Sequence, residues 1–229
     1  MLVEVLKSGM VTSSMGHQYR LQSDAKCDTM GALWRILGVN TSAQRVFGEA
    51  TGFSLMLTTL HSFQGDGEQT EESSLEVYMK VFTYLLRLMT AAVRDNAINR
   101  TKLHAIISSH TFYDLLSGSG LLCVECEKQV IQVLSELALE IVLPPFLSPG
   151  SALPTDMIES GSAGFLLTSP SGLFNPDKER VYNAAAVRVL IRLLLRFTPK
   201  MQLEVLNLIE RLAHAGPFNQ ENLTSVGAK

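Results

Sequence analysis

Cysteine is scarce in this chain. There are three in 229 residues, an odd number that builds no disulfide framework and fits a reducing compartment. Charge of one sign is missing as well. Lys and Arg number 19 against 22 Asp and Glu, for a net charge of −3 and a pI near 6.0. That balance excludes the basic footprint of a nucleic-acid binder and any strong overall pull toward anionic lipid. The first residues, Met1 to Gly9, carry neither a basic segment nor a long apolar run, so no secretory signal is read. The most apolar window, 187–197, is interrupted by Arg188 and Arg192 and holds Arg196 near its end. It falls far short of the ~20 residues needed to span a bilayer. These absences predict a cytoplasmic chain in which the sequons at Asn40, Asn99 and Asn222 stay unglycosylated. No β-branched run alternates with period two between turn signals, so strands are not expected.

Apolar residues, at 46 % of the chain, are enough for a full core, and their spacing is helical. Over residues 74–94 the polar positions form one thin seam of Glu76, Lys80, Thr83, Arg87, Thr90 and Arg94. Nearly everything between them is apolar, which predicts a helix covered on most of its circumference. Asp24 reads as the N-cap of an earlier helix running to Leu37, with Gly38 as its stop. Thr41 or Ser42 opens another, carrying Val46, Phe47, Ala50, Phe53, Leu57 and Leu60 and ending at an acidic loop around Gly65 and Gly67. Asn96 and Asn99 begin a shorter helix, and Thr111 one that Gly118 and Gly120 terminate. Residues 124–142 read as a second long helix stopped by Pro144 and Pro145. Two further helices, 181–197 and 199–215, are joined by Thr198 and Pro199 as a tight hairpin.

The expected fold is all-α: an armadillo- or HEAT-like α-solenoid of stacked helical hairpins. A compact irregular helical domain is the alternative. The expected organisation is helical layers over 1–142, a Pro/Ser/Gly-rich flexible insertion over 143–177, and a hairpin continuing the solenoid over 178–229. Leu2 to Leu6 reads as the end of a helix begun earlier, and no closing element follows Gly227. On this reading the sequence is a segment of a much larger chain.

Motifs with chemical potential are few. Cys123 and Cys126 have the spacing of half a zinc site or a redox pair, but no second pair of ligands follows and no βαβ context surrounds them. They read better as small apolar residues at a helix start. The five histidines are scattered, and Ser119 between Gly118 and Gly120 lacks both the spacing and the strand of a nucleophile elbow. No catalytic residue, metal ligand or cofactor site is assigned. Aromatic-x-x-aliphatic tetrads at Trp34 and Phe112 fall in predicted helices, where the core claims their side chains. Ser148 and Ser169, each followed by proline, are sites for proline-directed phosphorylation within the insertion. Arg188, Arg192 and Arg196 lie four apart on one side of an otherwise apolar helix. They are either a partner-binding stripe or the solvated ridge of a packed helix.

Several long runs point further: Gln18-Tyr-Arg-Leu-Gln-Ser-Asp-Ala-Lys-Cys-Asp-Thr-Met-Gly-Ala-Leu-Trp-Arg-Ile-Leu-Gly, then Ala43 to Phe53, Pro176 to Ala184, and Ala215 to Ser225. Together they resemble the N-terminal half of the Alfy-like, autophagy-linked FYVE proteins of the BEACH family. The resemblance covers essentially the whole chain and is weakest in the insertion. It implies an armadillo-like helical region of a very large scaffold that links ubiquitin-positive aggregates to autophagic membranes. The family's PH-like and BEACH domains, WD repeats and phosphoinositide-binding FYVE zinc module lie far toward its C-terminus and match no residue here. The expectation is therefore a non-catalytic spacer or protein-interaction surface without cofactors, binding protein partners and no nucleic acid. The alternative is a peripheral membrane or phosphoinositide-binding module that uses the arginine stripe. Direct membrane contact by this segment is not expected on the first reading. The resemblance places the full-length protein at autophagic membranes, aggregates or the nucleus.

Overall fold

A computed structural model of the chain describes residues 16–61, 72–141, 180–225 and 227. Among them every regular element is a helix, and the helices pack against one another in an all-α, solenoid-like arrangement. The expected insertion over 143–177, the acidic loop around Gly65, Pro144 and Pro145, the two Ser-Pro sites and residues 2–6 lie outside the described residues. The chain divides into two compact units, 1–122 and 123–229. The helix after Cys123 packs within the second unit, whereas the sequence alone groups it with the preceding layers.

In the first unit the helices are α1 (Gly16–Val39), α2 (Thr41–Glu49), α3 (Gly52–His61), α4 (Glu72–Val93), α5 (Ala97–Ile107) and α6 (His110–Gly118). The helix with the thin polar seam is α4, and it is the hub: α1, α2, α3 and α5 all pack on it, α1 most extensively. From Val81 to Val93 only Thr83, Tyr84 and Arg87 are not buried, and even the seam's Thr90 is enclosed. Its hydroxyl is satisfied by the Leu86 carbonyl at 2.8 Å. The facing stripe of α1 is Cys27, Met30, Trp34 and Leu37, spaced three, four and three.

Three boundaries differ from the sequence reading. α1 begins at Gly16, so Asp24 lies inside it rather than capping it. The helix expected from residue 41 to about 60 is two helices, because Thr51 turns left-handed at φ 62° between them. There Phe47 and Phe53 meet edge to face, with centroids 5.3 Å apart. The cap of α2 is Asn40, whose Oδ1 accepts the Ala43 amide at 2.9 Å, rather than Thr41 or Ser42. Asn96 caps α5 as expected, accepting from the Asn99 amide at 3.0 Å.

The second unit holds α7 (Glu127–Leu139), α8 (Ala184–Leu193) with a 3-10 turn (Leu194–Arg196), α9 (Pro199–His214) and α10 (Pro217–Ser225). α8 is buried from Ala184 to Val187 and packs on α7, α9 and α10. α7 ends at Leu139, where Glu140 takes a left-handed conformation, before the proline pair. α10 was not foreseen. Its residue Asn219 is buried and ties the element in.

One device recurs at three helix corners. A buried carboxamide early in a helix donates to the carbonyl seven residues back, at the end of the preceding helix. Gln44 Nε2 reaches the Leu37 carbonyl at 2.9 Å, Asn99 Nδ2 the Ala92 carbonyl at 2.9 Å, and Asn219 Nδ2 the Leu212 carbonyl at 2.9 Å. Each also takes a partner from elsewhere in its unit: Gln44 the Ala91 carbonyl, Asn99 the Gln44 carbonyl, and Asn219, through Oδ1, the Val181 amide. Last-turn carbonyls have no intrahelical donor, so these amides satisfy groups that would otherwise be buried unpaired. Gly48 belongs to the same corner, since a Cβ there would collide with Oδ1 of Asn99.

Asn99→Ala therefore leaves two buried carbonyls without their donor and is expected to destabilise the first unit by roughly 1–3 kcal/mol. Gly48→Ala, which displaces the same side chain, is expected to be at least as damaging. Urea unfolding of both variants beside a surface control such as Thr101→Ala checks this.

Candidate functional site

The arginine stripe is only partly assembled. Arg188 is half-buried on α8, and its guanidinium donates to the Ser225 carbonyl at 3.2 Å, tying α10 down. Arg192 is exposed one turn later. Arg196 is exposed in the 3-10 turn, whose tighter winding takes it off the four-residue register. Beside it Leu195 is 89 % exposed.

Cys123 and Cys126 form the turn that leads into α7, where the Cys126 amide donates to the Cys123 carbonyl at 3.0 Å. Both are free thiols; Cys126 is buried and Cys123 half-buried. Burial pushes the Cys126 thiol up to about 12, helped by a hydrogen bond with Cys123 and by the charges of Cys123 and Glu125. A thiol held protonated in this way is a poor nucleophile and a poor ligand. Among the described residues no group of three or more His, Cys, Asp or Glu is placed to hold a metal ion.

The next residue carries a structural task. Glu127 is buried in the first turn of α7, and its carboxylate accepts the Thr198 amide at 2.8 Å and the Thr198 hydroxyl at 2.7 Å. Thr198 is the N-cap of α9 and makes no side-chain cap bond of its own. One carboxylate thus lies at two helix N-termini, the favourable end of each macrodipole.

Sequence reasoning missed a pocket of about 260 Å³ in the first unit, where the first turns of α2 and α5 meet. Thr41, Ser42, Arg45 and Glu49 line it from α2, and Asn96, Ile98, Asn99 and Lys102 from the start of α5. Arg45 and Glu49 approach at 3.9 Å and are largely exposed, a weak pair. Lys102 Nζ donates to the Gly48 carbonyl at 2.8 Å. The only sequence signal was the helix-start chemistry at Asn40 and Asn96, which says nothing about their meeting.

Geometry defines a layered helical protein whose charged surface features are small and separate. Comparison with known proteins places it further. The chain is 68 % identical over 226 residues to protein SPIRRIG of Arabidopsis thaliana. It is 64 % identical over 226 residues to BEACH domain-containing protein A2 of the same plant. The matches cover 99 % of this chain but only 6 % of each relative. The similarity is thus to a short segment of BEACH-domain proteins, and it does not single out the Alfy-like branch. No protein-family model matches the chain, and no solved structure matches it. Among the described residues no helix is long and apolar enough to cross a membrane.

Two outcomes follow from this geometry. Glu127→Ala is expected to cost roughly 2–3 kcal/mol, since two hydrogen bonds to a charged acceptor are lost. Faster hydrogen exchange in the first turn of α9 is the readout. For Cys126, a folded-state value above the unfolded one contributes stability that is complete below about pH 9 and lost as pH rises toward about 12. Denaturation midpoints should fall through that window, and Cys126→Ala should flatten the fall.

Proposed function

We propose that this chain is a helical segment of an Alfy-like BEACH-family scaffold, acting without catalysis as a spacer and protein-interaction surface in selective autophagy and aggregate clearance. The observation that carries the reading is 68 % and 64 % identity to BEACH-domain relatives over 99 % of the chain. The BEACH-family part rests on that similarity, and the Alfy-like and autophagy parts rest on the resemblance of the runs beginning at Gln18, Ala43, Pro176 and Ala215. Layered helices support a spacer role, because a solenoid transmits length and offers extended surfaces to partners. The working compartment is the cytoplasm, and no cofactor enters the proposal.

The test is replacement in cells. A full-length BEACH-family protein carrying this segment is exchanged for one with the segment deleted, and clearance of ubiquitin-positive aggregates is followed. Slower clearance with normal protein abundance is expected; unchanged clearance overturns the autophagy assignment. Flotation of the 229-residue chain with phosphatidylinositol 3-phosphate vesicles addresses the membrane alternative. Binding that disappears in an Arg188/Arg192/Arg196→Glu variant with unchanged circular dichroism would replace the spacer reading with a lipid-binding one.

A further inference from the structure

The pocket between α2 and α5 carries an inference independent of the family reading. It is lined by two cationic side chains, Arg45 and Lys102, and by the hydroxyls of Thr41 and Ser42. Two walls of the pocket are also the first turns of helices. Asn40 and Asn96 cap only the third amide of each helix, at Ala43 and Asn99. The amides of Thr41 and Ser42, and of Ala97 and Ile98, have no intrahelical acceptor. Two positive macrodipole ends therefore add to the two side-chain charges. Glu49 is the opposing group, but its contact with Arg45 is long, at 3.9 Å, and solvent-exposed, so an anion can displace it at little cost. Lys102 is anchored to the Gly48 carbonyl, which fixes its ammonium at the rim.

We propose that this pocket is a binding site for a phosphomonoester group, of the kind carried by a phosphorylated serine or threonine side chain. Donors approach from two helices rather than one, which suits the three terminal oxygens of a phosphate better than the two of a carboxylate. The volume of about 260 Å³ admits the group together with the start of the side chain that carries it.

The test is titration of the full 229-residue chain, labelled with nitrogen-15, with inorganic phosphate, a phosphoserine peptide, and the same peptide bearing glutamate. Saturable shifts of the Thr41, Ser42, Ala97 and Ile98 amides are expected with phosphate and the phosphopeptide. Arg45→Glu should weaken binding by about tenfold or more, the loss of a charge-assisted contact, with an unchanged melting temperature. Glu49→Gln should strengthen it. Tighter binding of the phosphopeptide than of phosphate assigns the site to a modified protein, and the reverse order assigns it to the free ion. Absence of saturable shifts at these four amides, equal binding by Arg45→Glu, or equal binding of the glutamate peptide overturns the proposal.

Discussion

The first unit depends on a small amide circuit in its interior. Gln44 holds the carbonyls that end α1 and α4, and Asn99 holds the Gln44 carbonyl and a second last-turn carbonyl of α4. Four helix ends or starts thereby converge on two side chains. In a core otherwise made of leucine, valine and methionine, these are the contacts with direction. Apolar burial rewards any close approach, whereas a buried amide requires one particular arrangement and is costly in others. Gln44 is the sole buried residue of α2, so that helix is fixed to its neighbours by polar geometry rather than by an apolar stripe.

The second unit repeats the device once and supplements it with a charge. Asn219 does for α10 what Asn99 does for α5, and Glu127 fixes the start of α9 to the start of α7. Recurrence of a carboxamide reaching seven residues back is what a layered helical protein needs. Every tight corner between helices buries last-turn carbonyls, and each corner needs a donor. The fold can be extended layer by layer on that rule, which agrees with a chain spanning only 6 % of its relatives.

The functional consequence is a surface assembled from helix starts and corners. Arginine positions that look equivalent by spacing come apart in the structure: Arg188 serves α10, and Arg196 leaves the register in a 3-10 turn. The pocket of the first unit brings Arg45 and Lys102 to one place although no spacing relates them. Recognition in such a protein is expected at junctions, where the backbone itself contributes donors.

Local chemistry was legible in the sequence. The helical class, the span of α4 and its near-complete burial, the start of α5 at Asn96, and the turn at Thr198 and Pro199 all follow from periodicity, capping and proline. These signals are written within a few residues of where they act. What the sequence could not show acts at a distance. Asn99 meets a carbonyl 55 positions away, and Thr198 meets a carboxylate 71 positions away. Neither pairing leaves a pattern along the chain, because amides and carboxylates are common on helix surfaces and only burial distinguishes these few. α10 escaped notice for the same reason. Its periodic apolar signal is weak, and its place is set by Asn219 and by the packing of Phe218 beneath the Arg180 guanidinium. The sequence by itself determined that the chain would be helical and roughly where each helix would lie. The tertiary structure decided which polar side chains are enclosed, since desolvation gives a polar group its structural value only once neighbouring helices have closed over it.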